Sequence, residues 1–314
     1  MPKSEETHGR ILLSGASGML GGAICKALIQ QGHSLLKLVR RQPTSADELG
    51  WNPSKDKTIP DLTRLDGLKC LGELPAAIHL SGANVSSQHW TKAYKQEMIE
   101  SRVNSTRLLA ESLARLHQPP AVLITASATG FYGDRGDEIL DESSSRGSGF
   151  FPELCAAWEA ASRPALDAGI RVVHLRFGVA IGKGGIVARL APLFRLGLGG
   201  PLGNGRQWMS WVSESDVVAA VLFALRNPGI SGAFNTVSPQ PVTNAEFTHE
   251  LAQALRRPAI LAAPAFALRL AFGQMADEAL LSSTRAVPTR LLDAGFAFQH
   301  PTLKTALAAA LQKE

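Results

Sequence analysis

The chain contains few cysteines, and their pattern excludes two kinds of stabilising site. Only three occur in 314 residues, namely Cys25, Cys70 and Cys155. Because they are odd in number and widely spaced, with no C-x-x-C pair and no histidine cluster, they indicate neither a disulfide framework nor a zinc site. A chain of this length buries enough apolar surface to fold without either. We therefore expect a reducing cytoplasmic compartment and no metal.

Long hydrophobic runs are also missing. The apolar stretches are short or broken by Gly and Pro, which excludes a membrane span. Hydrophobic residues make up 45% and charged residues 19% of the chain, which is the balance of a soluble globular protein. The 32 basic and 27 acidic residues are interspersed, so the net charge of +5 predicts a solvated surface and no nucleic-acid partner. The expected partner is a small-molecule substrate, and a homodimer is left open.

Short apolar runs alternate with helical patterns in the first part of the chain. The predicted buried strands cover residues 11–13, 35–39, 77–80, 122–125 and 172–175. A helix between the first two strands has its apolar residues on one face and ends at Gly32. Such alternation is typical of βαβ units, so we predict an α/β fold with a Rossmann-type doubly wound parallel sheet over residues 1–176.

The pattern changes after Arg176, where Gly- and Pro-rich segments separate further helices. Asp216 is predicted to cap one helix, and Thr243 opens another with the capping box T-N-A-E. We predict a smaller, mainly helical C-terminal domain over residues 177–314 that lies on the substrate side and covers the open edge of the sheet. Residues 212–237 are expected to return to the first domain.

A glycine-rich turn follows the first predicted strand and opens the first predicted helix. It reads G-A-S-G-M-L-G over residues 15–21. Glycine permits positive φ and lets the backbone approach a pyrophosphate, while the helix N-terminus supplies amide donors and positive potential. This position in a βαβ unit predicts a dinucleotide-binding loop. The residues assigned to the cofactor are Gly15, Ser17, Gly18, Met19, Leu20 and Gly21.

The end of the second predicted strand indicates which dinucleotide binds. An NAD enzyme usually has Asp or Glu there to accept a hydrogen bond from the ribose 2′-hydroxyl. This chain has Arg40 and Arg41 instead. A guanidinium pairs with a 2′-phosphate through two parallel hydrogen bonds, whereas a carboxylate would repel it. NADP(H) is therefore the predicted cofactor, and the alternative for one of the two arginines is a surface charge.

Longer runs elsewhere in the sequence are more specific than the glycine-rich turn. They cover residues 79–84, 127–133, 132–138, 194–201, 211–216 and 241–247. Together they resemble extended short-chain dehydrogenases/reductases, and more closely the atypical branch of epimerase family proteins, which is similar to NAD-dependent epimerases/dehydratases. The resemblance covers nearly the whole chain from Arg10 and implies oxidoreductase or epimerase chemistry.

The resemblance also implies site residues. Leu80, Ser81 and Gly82, in the strand-end run 79–84 that carries the resemblance, are assigned to the cofactor. Arg102 stands where the family pattern N-V-x-G-T has its Asn, and we assign it to the cofactor, with an ion pair to Glu100 as the alternative. Ser127 takes the catalytic hydroxyl role, with Thr129 as its alternate.

The family's Tyr-x-x-x-Lys is missing. Cys155 occupies the tyrosine position and Glu159 the lysine position, and a carboxylate beside a thiol raises its pKa. We therefore expect Cys155 to be a small core residue and Glu159 a polar helix position, with a catalytic role for the pair as the alternative. Of the two tyrosines in the chain, Tyr132 adjoins the strand that carries Ser127, and it is the predicted substitute acid/base or, alternatively, a packed aromatic.

Two arginines are candidates for an anionic substrate group, Arg176 and Arg206, and the alternative for Arg206 is a surface position. The leading hypothesis is an NADP(H)-dependent oxidoreductase or epimerase that acts on a small polar substrate such as a sugar nucleotide. The rival hypothesis is a regulatory or scaffold protein that binds NADP(H) and has lost catalysis. The missing lysine favours the rival, while Ser127 and the Gly-rich segment near Arg206 favour the enzyme.

Overall fold

The computed structural model describes residues 9–53 and 74–312, so Cys70 lies outside the described residues. Its longer strands are β1 (Arg10–Ser14), β2 (Ser34–Val39), β3 (Glu48–Gly50), β4 (Ala76–His79), β5 (Val122–Ala128), β7 (Arg171–Phe177), β8 (Val179–Ile181), β10 (Trp211–Ser213) and β11 (Gly232–Thr236). Two-residue strands are β6 (Ile139–Leu140), β9 (Trp208–Met209), β12 (Val242–Thr243) and β13 (Arg285–Ala286).

Seven of these strands form one parallel sheet in the order β3-β2-β1-β4-β5-β7-β11. The chain starts at β1, runs outward to β3, and then crosses back to β4 on the other side of β1. This order confirms the predicted Rossmann-type fold. It also places the switch point between β1 and β4, where ligands bind in sheets of this kind.

The described chain has eleven α-helices, some of which cover the two faces of the sheet while others pack around β8 and β10. They are α1 (Met19–Gln30), α2 (Lys92–Ile99), α3 (Ser105–Ala114), α4 (Phe150–Ala160), α5 (Arg163–Asp167), α6 (Gly185–Arg195), α7 (Glu214–Arg226), α8 (Asn244–Leu255), α9 (Ala265–Phe272), α10 (Thr289–Asp293) and α11 (Leu303–Leu311). On one face Leu28 of α1 and Val221 of α7 pack on the strands, and on the other Leu113 of α3 does so. In the part of the chain described, no helix combines the length and apolarity needed to cross a membrane.

The outer edge of the sheet is covered by side chains from distant segments. Arg290, in α10, donates from Nη1 to the carbonyl of Ala233 (2.6 Å) and from Nη2 to that of Ser231 (2.8 Å). Glu142 accepts a hydrogen bond from the backbone N–H of Asn235 (2.9 Å). These contacts satisfy backbone groups of β11 that would otherwise be open to another strand.

One of two predicted helix caps differs from the structure. Helix α7 begins after Ser213, whose hydroxyl caps the backbone N–H of Asp216, so Asp216 lies in the first turn and is not the cap itself. Its carboxylate instead accepts from the backbone N–H groups of Gln299 and His300 and holds the C-terminal segment. By contrast, the Thr243 capping box is present as predicted.

Candidate functional site

The glycine-rich turn joins β1 to α1 at the switch point of the sheet. Gly15 has φ +77°, and a Cβ there would lie 2.8 Å from the carbonyl carbon of Leu80, at the end of β4. A Cβ on Gly21 would overlap the carbonyl oxygen of Gly15. Both glycines are thus required by close backbone approach, and they hold the carboxyl ends of β1 and β4 together.

The space in front of this turn suits a pyrophosphate. Ser17 and Gly18 are exposed, and a Cβ on Gly18 would meet only the carbonyl oxygen of Gly15, at 3.5 Å. Helix α1 has no side-chain cap and no acidic residue in its first turn. Its amide donors and positive potential are therefore left for an anion. On the opposite side, Met19 packs against Gly184 in the loop before α6.

The two arginines after β2 have different settings. Arg41 forms a bidentate ion pair with Glu48, with Nη2–Oε1 at 2.6 Å and Nη1–Oε2 at 2.8 Å. This contact holds the pKa of Glu48 down at about 2. Arg40 is exposed and makes no hydrogen bond or ion pair within residues 9–53 and 74–312. Arg40 is therefore the arginine available to a 2′-phosphate, whereas Arg41 could bind one only by giving up its ion pair with Glu48.

A buried polar network lies where β5, α4 and β7 meet. The hydroxyl of Ser127 donates to Oε1 of Glu159 at 2.7 Å. Arg176 donates to both oxygens of the same carboxylate, from Nε at 2.7 Å and from Nη2 at 2.8 Å. Ser127 and Arg176 are register partners on β5 and β7, and Glu159 reaches them from α4. The sheet register therefore fixes the whole arrangement.

This network keeps its carboxylate ionised. Burial alone would raise the pKa of Glu159, but the hydrogen bonds and charge of Arg176 outweigh it and leave the pKa below its ordinary value. Burial would likewise lower the pKa of Arg176, and the partnership with Glu159 raises it instead. The site thus contains an ionised carboxylate that accepts a hydrogen bond from the Ser127 hydroxyl.

Cys155 lies one helical turn before Glu159 on α4. Its side chain is completely buried, and burial together with the charge of Glu159 raises the pKa of the thiol to about 12. A thiol in this setting is protonated at neutral pH and inert. Its surroundings are those of a core residue.

Tyr132 and Arg176 are buried and contact other protein groups, whereas their predicted roles need contact with a substrate. Tyr132 is fully buried, and its hydroxyl donates to Oδ1 of Asn235 (2.7 Å) and accepts from Nη1 of Arg176 (2.9 Å). Burial raises the pKa of Tyr132 further. Arg176 is 4% exposed and stacks 3.6 Å from the ring centroid of Phe131. Both groups are held by other protein groups. Ser127 is buried as deeply, at 2% exposed, but within residues 9–53 and 74–312 its hydroxyl oxygen accepts no hydrogen bond.

The remaining two arginines lie in different surroundings. Arg102 is buried beside Gly82, and its Nη2 donates to the carbonyl of Ala83 at 2.8 Å. The alternative ion pair with Glu100 is not formed. Arg206 is exposed on the loop before β9, which agrees with the alternative of a surface position.

Sequence reasoning named Ser127, Glu159 and Arg176 but did not connect them. The sequence did contain a signal for this ion pair. An acid, Glu159, stands at the family's lysine position, and a cation, Arg176, stands near the end of β7. Asn235 was missed altogether, although it is fully buried and fixes the Tyr132 hydroxyl. Its signal was one polar residue inside the strand pattern F-N-T.

The fold and the glycine-rich turn define a Rossmann-type α/β protein with that turn at the switch point of its sheet. A family model described as the NAD dependent epimerase/dehydratase family matches residues 11–236, and one described as a domain of unknown function (DUF1731) matches residues 263–310. The chain belongs to this epimerase/dehydratase family, as an atypical extended short-chain dehydrogenase/reductase of the epimerase family protein branch.

Similar proteins from bacteria and mammals carry the name epimerase family protein. The epimerase family protein Mb2239 of Mycobacterium bovis is 43% identical over 298 residues, covering 95% of this chain and 96% of the relative. The epimerase family protein SDR39U1 of Bos taurus is 34% identical over 303 residues, covering 95% and 98%. The crystal structure of human SDR39U1 (isoform 2) with NADPH superimposes with a TM-score of 0.85 at 30% identity, covering 96% of this chain and 98% of that chain.

Proposed function

We propose that the protein is an NADP(H)-dependent oxidoreductase or epimerase-like enzyme that acts on a small polar substrate with a hydroxyl group on the reacting carbon. The uncapped N-terminus of α1 and the open space at Gly18 support a bound dinucleotide. The exposed guanidinium of Arg40 supports NADP(H), and so does the NADPH in the human relative's structure. When bound, the oxidised cofactor accepts a hydride from the substrate carbon.

The observation that carries the catalytic part is the 2.7 Å hydrogen bond from Ser127 to Glu159. Because the Ser127 hydroxyl directs its own proton to the carboxylate, its oxygen can accept a hydrogen bond from a substrate hydroxyl. As the substrate hydroxyl gives its proton to Ser127, Ser127 passes its own to Oε1 of Glu159. Protonated Glu159 returns the proton by the same route when a carbonyl is reduced. Arg176 holds the carboxylate in place and ionised between turnovers.

Tyr132 and Cys155 have no part in this proposal. The Tyr132 hydroxyl is saturated by Asn235 and Arg176, and the Cys155 thiol is sealed in the core. The same two facts favour the second candidate function, an NADP(H)-binding protein without catalysis, because the family's proton donor is lost and no tyrosine replaces it at the cleft.

Replacement of Ser127 by alanine separates the two functions. Candidate nucleotide sugars and small hydroxy compounds are first screened with NADP⁺ by absorbance, including single-turnover mixtures for epimerisation. We expect Ser127→Ala to lower turnover by about 10²–10⁴-fold with NADPH affinity unchanged, since a positioned acid/base usually contributes that much. Cys155→Ala is the matched control on α4 and should change turnover by less than about tenfold, or about 1.4 kcal/mol in the barrier. Unchanged turnover in Ser127→Ala would refute the relay, and no substrate at all would favour the binding-only function.

A further inference from the structure

The positive charge of the chain is concentrated in two segments. Residues 185–206 and 251–276 together contain six arginines and no Asp, Glu or Lys. The remainder of the chain has 26 basic and 27 acidic residues, which are interspersed, so these two segments carry the whole positive excess of the protein. They are called the acid-free segments below.

The acid-free segments are neighbours in the fold. The backbone N–H of Leu261 donates to the carbonyl of Gly199 at 3.1 Å. The backbone N–H of Ala263 donates to the carbonyl of Pro201 at 2.9 Å. Helix α6 leads into the first of these paired stretches, and α9 follows the second. The arginines and apolar side chains around this pairing therefore lie in one region of the surface.

The same region exposes most of the large apolar side chains that the protein leaves in solvent. Within residues 9–53 and 74–312 twelve such side chains are exposed, and eight of them belong to the acid-free segments. Leu270 is 86% exposed, Ile260 80% and Phe266 72%, so these side chains project from the surface instead of packing into it. A concentration of exposed apolar side chains marks an interaction surface.

Three arginines of this region are available to a partner. Arg195, Arg256 and Arg257 are exposed, and in the part of the chain that the structure describes they make no side-chain hydrogen bond or ion pair. Arg256 and Arg257 also line an open groove of about 620 Å³, to which Ile260 contributes. The region thus presents unpaired cations beside projecting apolar groups.

This combination of groups selects among the possible partners. A second copy of the chain would bring the same unpaired arginines against these, and like charges repel each other across an interface. A nucleic acid would neutralise the arginines but would leave Phe266 and Leu270 without an apolar environment. An anionic bilayer offers phosphates to the arginines and acyl chains to the apolar side chains at the same time.

We propose that the acid-free segments form a peripheral binding surface for an anionic lipid bilayer. Ile260, Phe266 and Leu270 enter the boundary between head groups and acyl chains, and Arg256 and Arg257 pair with lipid phosphates. Such binding takes place at the membrane surface and needs no spanning helix. The proposal is independent of the proposed function, because its test requires neither cofactor nor substrate.

The test is flotation of the full chain with vesicles of phosphatidylcholine and phosphatidylglycerol, compared with vesicles of phosphatidylcholine alone. The wild type should float with the anionic vesicles and be released by salt at about 0.5 M, which screens the arginines. Phe266→Gln with Leu270→Gln should weaken binding by about tenfold or more, because both apolar contacts are lost. Arg256→Gln with Arg257→Gln should weaken it by about 25-fold, or about fivefold for each arginine near an anionic surface.

Matched controls remove the same kinds of side chain from other parts of the surface. Ile29 and Leu166 are exposed apolar residues on α1 and α5, and Arg107 and Arg115 are exposed arginines in and after α3. Ile29→Gln with Leu166→Gln, and Arg107→Gln with Arg115→Gln, should bind the anionic vesicles within twofold of the wild type. Because every replaced side chain is exposed, all four double variants should melt at the wild-type temperature by circular dichroism.

Three results would overturn the proposal. The first is a wild type that floats with neither kind of vesicle. The second is a loss of binding in the control variants as large as that in the variants of the acid-free segments. The third is a wild type that does not float but is dimeric by light scattering and becomes monomeric in Phe266→Gln with Leu270→Gln, which would assign the surface to a second copy of the chain.

Discussion

Replacing Glu159 with glutamine tests the buried ion pair with almost no change of side-chain volume. The side chains of Arg176 and Glu159 are 5% and 13% exposed, so solvent screens their attraction little. The glutamine leaves a buried guanidinium against a neutral amide that can accept fewer hydrogen bonds. Removing one partner of a buried pair typically costs about 3–5 kcal/mol. That is a large fraction of the roughly 5–15 kcal/mol by which a folded domain is stable.

The assay is urea unfolding of the ligand-free protein, followed by circular dichroism. Glu159→Gln should lower the free energy of unfolding by about 3–5 kcal/mol. Ser127→Ala removes only one hydrogen bond to the same charged carboxylate and should cost about 1.5–3 kcal/mol. The double variant Glu159→Gln with Arg176→Met removes the stranded charge, so it should recover most of the loss. The difference between the double variant and the sum of the singles gives the coupling energy.

Two results would refute this reasoning. A loss below about 1 kcal/mol in Glu159→Gln would mean that the pair behaves as an exposed one. A double variant as unstable as the sum of its parts would mean that the two groups act independently and that the loss comes from elsewhere in the network.

Three further predictions concern the cofactor loop and the core. Gly18→Val should abolish NADPH binding in calorimetry, because the side chain fills the space in front of α1, and it should leave the unfolding midpoint unchanged; NADPH affinity equal to that of the wild type would contradict the loop assignment. Arg40→Ala should weaken NADPH binding by about 1.5–3 kcal/mol and leave NADH binding unchanged. Arg41→Ala should weaken NADPH binding less, because Glu48 already pairs with Arg41. A larger loss in Arg41→Ala than in Arg40→Ala would contradict the assignment of Arg40 to the 2′-phosphate. Burial lowers the pKa of His79 to about 4, so the unfolded state binds more protons below its ordinary pKa of 6.5, and stability should fall by roughly 3 kcal/mol between pH 6.5 and 4. His79→Gln should flatten this part of the stability profile in urea titrations, and an unchanged slope would show that another group causes it.

Local signals in the sequence were sufficient for most of the sheet. Strands β1, β2, β4, β5 and β7 all coincide with apolar runs, because strands buried on both faces need continuous apolar residues. Strand β3 has only three residues and no apolar run, so nothing in its sequence separates it from a loop. Helix α6 was missed because it contains Pro192 and is flanked by glycines, which are signals for a loop.

Part of the candidate site could likewise be predicted from local sequence, and part of it could not. The glycine-rich turn lies within the seven consecutive residues 15–21. Its glycines are required because neighbouring backbone segments approach them closely, and glycine spacing is visible in a sequence. The ion pair of Arg176 with Glu159 joins two elements through the register of β5 on β7, which no local pattern contains. The settings of Tyr132 and Cys155 also depend on burial. Residue identity alone gave Tyr132 the acid/base role, but it could not show that Asn235 and Arg176 already bond its hydroxyl.

The departures from the family pattern make sense together as a redistribution of charge. The pattern carries one positive charge on the helix, in its lysine, and a neutral Asn in the motif N-V-x-G-T. Here the helix position is Glu159, whose charge Arg176 cancels, and the Asn position is Arg102, whose charge nothing in the described chain cancels. The site thus keeps one uncompensated positive charge, but the charge has moved from α4 to the turn before α3. A site that had merely decayed would have no reason to retain a buried, unpaired cation, since its removal relieves a desolvation cost.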